Sequence, residues 1–271
     1  MTPSTATAIR ANHGEVSRNE FHRRSVAALH AAGVPFLIGG AYMVEVCGGV
    51  ARSTKDFDLY IRPNHVRAAL DALERAGYKT ELTFPHWLAK ATYKGDMLDL
   101  IFRAGNGLCE VDDSWFERAN DAELLGVPVK HCAPEEMIWM KAYIMERERF
   151  DGADIAHILR CCAEEIDWPH LVRRFGSDWR ILFSHLILFG YIYPGERARI
   201  PAEIMEDLIT RLRNELSTAG PERLCRGTLI SRQQYLVDVQ EWGYRDARLE
   251  ERVQMNEKDI AHWTDAIDKE E

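Results

Sequence analysis

Alternating apolar and polar positions predict strands in the first half of the chain. In the segment KDFDLYI, Phe57, Leu59 and Ile61 are apolar, and the positions between them carry polar groups. Successive side chains of a strand point to opposite faces, so this apolar set predicts one buried face. Comparable short runs predict further strands at PFLIGG, YKTELT, HWLAKATY, MLDLIFR and VPVKHC, with KGD as the turn before MLDLIFR.

Helical punctuation separates these strands and dominates the second half of the chain. The SRNE sequence at Ser17 is a capping box, and it predicts a helix that ends near Gly33. Pro63 and Gly77 bracket a second helix, and AYMVEVCG predicts a short one. Five further helical patterns are PEEMIWMKAYIMER, GADIAHILRCCAEE, DWPHLVRRFG, WRILFSHLILFGY and PAEIMEDLITRLRNEL.

The order of the elements predicts an α+β protein. A mixed sheet flanked by helices is expected over residues 17–132, followed by an all-α half over residues 133–271. The boundary is expected near Cys132–Pro134, where the strand patterns end. The apolar stretch Ile181–Tyr193 is expected to form a buried helix too short to span a bilayer. The charged tail from Ala247 is expected to form a solvated helix.

Composition narrows the class of protein. The net charge of −9 over 271 residues disfavours non-specific binding of nucleic acid, which requires a basic surface. None of the six cysteines forms a CxxC pair, which favours reduced thiols. The first twenty residues lack the apolar core of a signal peptide. These observations predict a cytoplasmic protein with no membrane partner.

The strand patterns also place acidic side chains together. Asp56 and Asp58 lie opposite the apolar face of their strand, with Cα atoms about 7 Å apart. Asp99 lies on the polar face of MLDLIFR and joins them if the two strands are neighbours. Like charges this close are unfavourable unless a cation lies between them, and carboxylate oxygens suit Mg²⁺. A pair of such ions can activate an attacking hydroxyl and neutralise a leaving pyrophosphate.

Neighbouring motifs decide between this site and an ordinary strand. A DxD pair alone is more often a half-exposed strand than a metal site. Here Gly39 and Gly40 end a strand upstream, where bare backbone N–H groups could hold phosphate oxygens. Asp96 is a rival for the third carboxylate, but its three-residue offset from Asp99 places it on the opposite face. This context favours the metal site.

With these motifs, the chain resembles the nucleotidyltransferase superfamily that includes DNA polymerase beta and the antibiotic nucleotidyltransferases. The resemblance covers about residues 20–160 and rests on Gly39-Gly40, the DxD of RSTKDFDLYI and Asp99 in LDLIF. The RSTKDFD form is similar to the minimal bacterial branch. Gly48-Gly49 lengthens the spacing between Gly40 and Asp56 beyond the usual form, which leaves the roles of Arg52 and Thr54 open.

The resemblance implies a Mg²⁺-dependent enzyme that transfers a nucleoside monophosphate from an NTP to an acceptor hydroxyl and releases pyrophosphate. ATP is the expected donor, and two Mg²⁺ ions are expected. Asp56 and Asp58 would hold the metals, and Asp99 would bind the second metal and act as the base. The residues implied to bind the nucleotide are Gly39, Gly40, Arg52, Thr54 and Lys141.

Lys141 has two interpretations. It is the only charged residue between Met137 and Met145. It either extends along apolar surface to reach solvent or faces the triphosphate, as lysines do in some members of the family it resembles. Arg149 and its neighbour Arg147 could share the second role. Asp154 and His157, one turn apart on a predicted helix, are more typical of a structural pair than of a metal site.

Other functions fit the sequence less well. A non-catalytic, antitoxin-like module that binds a nucleotide or a partner could share the fold. A haloacid dehalogenase phosphatase needs threonine where Tyr60 stands, and glycosyltransferases with a metal DxD usually have a longer region before it. The acceptor stays open, with a small molecule or a protein favoured over RNA by the acidic charge. The oligomeric state and the role of the segment Arg226–Arg248 also stay open.

Overall fold

A seven-stranded mixed sheet forms the centre of the protein. The structure is a computed structural model, and it describes residues 13–40, 56–217, 220 and 223–266. The strand order is β3-β4-β5-β2-β1-β7-β6, with β2 parallel to β5 and β1 parallel to β7. The other neighbours are antiparallel. The strands are β1 (Leu37–Ile38), β2 (Asp56–Tyr60), β3 (Lys79–Phe84), β4 (Leu88–Tyr93), β5 (Asp96–Ile101), β6 (Asn120–Leu124) and β7 (Val127–His131).

Helices flank the sheet and make up most of the second half. The helices before residue 133 are α1 (His13–Ala31), α2 (Val66–Arg75) and α3 (Asp113–Glu117). Those after it are α4 (Pro134–Ala142), α5 (Gly152–Cys162), α6 (Trp168–Phe175), α7 (Trp179–Ile192), α8 (Ala202–Glu215), α9 (Leu236–Gln240) and α10 (Glu257–Asp265). A short parallel pair, β8 (Leu224–Cys225) with β9 (Arg245–Asp246), interrupts them. The predicted α+β class is confirmed, although the second half is not purely helical.

One face of the sheet packs against α1 and α2. Phe57 and Leu59 of β2 are fully buried there, as their alternation predicts. They share an apolar cluster with Leu29 of α1 and with Leu70 and Leu73 of α2. Burial of this face turns the intervening residues of β2 to the opposite side of the sheet.

The opposite face is covered only in part by the helical half. Leu37 and Tyr60 join a second cluster that extends into the helices, with Met137 of α4 and Leu159 of α5 among its members. The ring of Tyr60 stacks on Trp115 of α3, with centroids 5.3 Å apart. Asp58, one step along the same face, is half-buried. The division at residues 132 and 133 coincides with the start of α4 and stays a prediction.

Several local predictions differ from the structure. The SRNE sequence at Ser17 lies inside α1, which already includes His13. Helix α7 is buried on one face only, because Ile187 is 53% exposed and Tyr191 is 81% exposed. The tail from Ala247 is helical only in part, at α10, and it is not fully solvated, since Arg248 is buried and Trp263 packs against the β3–β4 turn. AYMVEVCG lies outside the described residues.

No helix in the described part of the chain is both long enough and apolar enough to cross a membrane. The longest, α1, has 19 residues and is rich in charged and polar side chains.

Candidate active site

Two acidic side chains meet at the centre of the sheet. Asp58 of β2 and Asp99 of β5 are direct Cα partners in parallel strands, and both are half-buried. Directly paired residues point to the same face, and neighbouring strands lie about 4.8 Å apart. Strands β2 and β5 are therefore neighbours, which is the condition for Asp99 to lie beside Asp58. Asp56 belongs to β2 and pairs with Met97, but its side chain is not among those described.

A lysine extends this row of charges onto the next strand. Lys90 of β4 is the Cα partner of Asp99, and its Nζ lies 3.6 Å from Asp99 Oδ1. Its Nζ is also 3.6 Å from the Sδ of Met97. Lys90 was not predicted as a site residue, although the turn that places it was predicted at KGD. In that turn Lys94 and Gly95 both have positive φ, and the turn sets the hairpin register that pairs Lys90 with Asp99.

The glycine pair brings its backbone against the same carboxylate. Gly40 has a φ of +59°, and a Cβ built on it would collide with the carboxylate of Asp58. The N–H of Gly39 donates to the backbone carbonyl of Asp58 at 3.4 Å, and a Cβ there would collide with the ring of Tyr60. Glycine is required because any side chain would occupy the space that the carboxylate uses.

The last turn of α4 and the loop that follows it add two cations. Lys141 is only 7% exposed, and its Nζ lies 2.7 Å from both Asp151 and Asp154. Arg149 donates to Asp151 from its Nε at 2.9 Å. Lys141 therefore does not extend to solvent. Asp154 belongs to this ion cluster, which supports the structural interpretation of that residue.

The charges of this loop act on the sheet carboxylate. The pKa of Arg149 is raised by its hydrogen bonds to Asp151, and Asp58 and Tyr60 contribute in the same direction. Burial raises the pKa of the Tyr60 phenol well above its usual range, and the negative charge of Asp58 adds to that shift. Burial opposes ionisation of Asp151, but Arg149 and Lys141 outweigh it and lower the pKa of that carboxyl. An ionised Asp151 thus holds the Arg149 guanidinium by two hydrogen bonds.

We expect Lys141→Met to destabilise the protein by about 2 kcal/mol. The change leaves Asp154 and Asp151 buried with less compensating positive charge, although Arg149 still pairs with Asp151. Urea unfolding followed by circular dichroism measures the loss. Lys130→Met is the matched control, because Lys130 pairs with Asp121 on the exposed surface and should change stability by less than about 0.5 kcal/mol. Equal losses in the two variants would contradict a buried role for Lys141.

Divalent metal binding fits this donor set. The carboxylates of Asp58 and Asp99 lie on adjacent strands beside a glycine backbone, and they supply the hard oxygen ligands that Mg²⁺ prefers. Within the described residues, no group of three His, Cys, Asp or Glu side chains is placed to hold a metal ion. The third predicted ligand, Asp56, has no described side chain. Arg52, Thr54 and Gly48-Gly49 lie outside the described residues.

A mixed sheet with a glycine pair and two strand carboxylates at one point defines a nucleotidyltransferase-type fold. Residues 19–177 match the model of a family described as "Uncharacterised nucleotidyltransferase". This match spans more than half of the chain, so the chain belongs to that family. It includes the whole sheet, most of α1 and the helices from α2 to α6, and residues 178–271 lie beyond it.

Several solved structures are similar at low identity. ANT(2″)-Ia in complex with adenylyl-2″-tobramycin is 18% identical, with 74% of this chain and 99% of that chain covered and a TM-score of 0.38. The lincosamide antibiotic adenylyltransferase LnuA, lincomycin-bound, is 15% identical over 52% and 94%, with a TM-score of 0.38. JHP933 from Helicobacter pylori is 13% identical over 76% and 98%, with a TM-score of 0.39. No curated protein matches the chain.

Proposed function

We propose that the protein is a Mg²⁺-dependent nucleotidyltransferase that moves a nucleoside monophosphate from an NTP to an acceptor hydroxyl. The observation that carries the proposal is the convergence of Gly40, Asp58 and Asp99 at one point of the sheet, within a chain that belongs to a nucleotidyltransferase family. Each of these residues has a chemical use in such a transfer. The reaction joins the acceptor oxygen to the α-phosphorus and releases pyrophosphate.

The carboxylates are proposed to bind the metal ions, and the glycine pair is proposed to contact the phosphates. Asp58 and Asp99, with Asp56, would hold divalent ions, which supply charge neutralisation at the transferred phosphoryl group. Asp99 lies at the side of Asp58 away from Gly40, and it accepts the proton of the acceptor hydroxyl. The backbone at Gly39 and Gly40 contacts the phosphates.

Arg149 in the α4–α5 loop and Lys141 at the end of α4 are the candidate cations for the triphosphate. Arg149 is the stronger candidate, because its side chain is 64% exposed and acts electrostatically on Asp58. Lys141 is buried behind it and neutralises Asp151 and Asp154. We therefore propose that Lys141 contributes to nucleotide binding by fixing the Asp151 carboxylate that in turn orients Arg149.

The acceptor is proposed to be a small molecule, and the donor to be ATP. Two structures similar to this chain are those of antibiotic-modifying proteins, one with adenylyl-2″-tobramycin and one with lincomycin. The acidic net charge of −9 also favours a small molecule over RNA. The compound itself is left to experiment.

A pair of differently labelled nucleotides tests the proposed reaction. The purified chain is incubated with Mg²⁺, a low-molecular-weight cell extract and ATP labelled at either the α or the γ phosphate. Transfer of the α label to a new compound, with the γ label recovered as pyrophosphate, is the expected result. Transfer of the γ label would identify a kinase instead and contradict the proposal.

The runner-up function predicts a different result from the same assay. A non-catalytic module on this fold would bind ATP without transferring either label, and its partner binding would survive loss of the carboxylates. The protein-containing fraction of the extract, assayed separately, tests a protein acceptor.

A further inference from the structure

The proposed reaction leaves one charged residue of the site without a role. Lys90 lies on the carboxylate face because Ala89 and Ala91, its neighbours in β4, are fully buried on the other face. Its side chain is 29% exposed, while that of Asp99 is 15% exposed. Across the sheet, the order of the row is Asp58, Asp99 and Lys90, and the exposed Glu81 of β3 follows Lys90.

The ammonium group competes with any divalent ion for Asp99. The two carboxylates repel each other, and a cation that lies beside them relieves this repulsion. Lys90 already supplies one positive charge 3.6 Å from Asp99 Oδ1. A divalent ion at the same carboxylate would be repelled by that charge, in a half-buried place where solvent screens the repulsion only in part. Lys90 therefore lowers the affinity of the row for a metal ion that arrives alone.

A nucleotide changes this balance. The triphosphate carries several negative charges and its own oxygen ligands, so an ion that arrives with it has a larger electrostatic gain to set against the lysine. The ammonium group of Lys90 also attracts the negatively charged phosphates, and this attraction offsets its repulsion of the ion. The net effect of the lysine is therefore smaller for an ion bound to phosphate than for a lone ion.

We propose that Lys90 is the built-in counter-ion of Asp99, and that it makes divalent-ion binding at the carboxylate row depend on the nucleotide. This inference rests on the proposed function, and it assigns a residue that regulates the order of binding. In the metal-free protein, the positive charge of Lys90 would balance the negative charge of Asp99, and the divalent ion would bind together with the NTP.

Electron paramagnetic resonance of Mn²⁺ measures the binding directly and needs no acceptor. Lys90→Met is titrated with Mn²⁺ in the absence of nucleotide, and we expect its affinity to exceed that of the unmodified chain by about five-fold or more. A non-hydrolysable ATP analogue should reduce this difference to less than about two-fold. Lys90→Arg keeps the charge and should behave as the unmodified chain does.

Lys130→Met is the matched control for this experiment. Lys130 pairs with Asp121 across β7 and β6, at the opposite edge of the same sheet, with 3.1 Å between Nζ and Oδ1. The Lys130→Met change removes one positive charge from a cross-strand pair that is not part of the carboxylate row, so the Mn²⁺ affinity should not change. Lys90→Gln replaces Lys90→Met if the methionine variant does not fold.

Two outcomes would overturn the inference. If Mn²⁺ binds with nucleotide but Lys90→Met binds the lone ion no more tightly, Lys90 is not the counter-ion, and the proposed function stands. If neither chain binds Mn²⁺ even with nucleotide, and Asp58→Asn changes nothing, then the metal site and the proposed function fail together.

Discussion

Replacing Asp99 by asparagine is expected to lower nucleotidyl transfer about a thousand-fold. The amide keeps the shape of the side chain but removes the negative charge that would bind a divalent ion and accept the hydroxyl proton. Because Asp99 is half-buried between Asp58 and Lys90, the loss relieves a like-charge repulsion and removes an ion pair, and these two effects oppose each other. The melting temperature should therefore change little. Steady-state rates with α-labelled ATP and thermal unfolding measure the two effects.

Asp96→Asn is the control that makes this result specific. Asp96 belongs to the same strand, three residues earlier, so it lies on the opposite face and pairs with Tyr93 at the hairpin end. The variant removes the same charge from the same strand and should keep its activity within about two-fold. A comparable loss in both variants would mean that strand charge, rather than the site, controls activity. Full activity of Asp99→Asn would exclude Asp99 from the proposed reaction.

The part of the site that lies on regular strands could be predicted from the sequence. The alternation in β2 fixes which face carries Asp58, because the apolar residues cannot face water. The same argument places Asp99, and the rejection of Asp96 follows from its odd offset. What alternation does not fix is which strands are neighbours. That step came from the family resemblance, and the register of β2 with β5 confirms it.

The contacts that link distant parts of the chain could not be predicted in this way. Lys141 pairs with Asp154 across a loop, and no local pattern encodes that distance. Strand β6 is short and half-exposed, with the polar sequence NDAEL, so it lacks the alternation that reveals a buried face. Trp263 lies in a tail that looks solvated, yet its ring packs on Leu88 and Phe84. These placements depend on contacts between residues that are far apart in the sequence.

The segment Arg226–Arg248 shows the same limit. Its sequence left its role open. In the structure Ile230 accepts a backbone hydrogen bond from Met145, and Arg232 pairs with Glu146. The segment thus packs on the loop that also carries Arg149. Its position depends on these long-range contacts, which no local sequence pattern encodes.

Gly40→Ala is expected to lower activity about a hundred-fold and to destabilise the protein by about 2 kcal/mol. At a φ of +59° an alanine is strained, and its Cβ would collide with the Asp58 carboxylate. Either the carboxylate turns away from Asp99 or the backbone at Gly40 withdraws. Both movements disturb the point where phosphate and metal are proposed to meet, so activity falls by more than the strain alone explains. Transfer rates and urea unfolding measure the two losses.

Gly33→Ala separates backbone strain from this close approach. Gly33 has a φ of +65°, nearly the same as that of Gly40, but no atom of the described residues lies within 4 Å of the Cβ that alanine would add. The control should lose about 1 kcal/mol of stability through strain and should keep its transfer rate. If Gly40→Ala and Gly33→Ala had the same transfer rate and the same stability, the close contact between Gly40 and Asp58 would have no role in the reaction. A larger loss at Gly40 would show that glycine is needed there because the carboxylate occupies the space of a side chain.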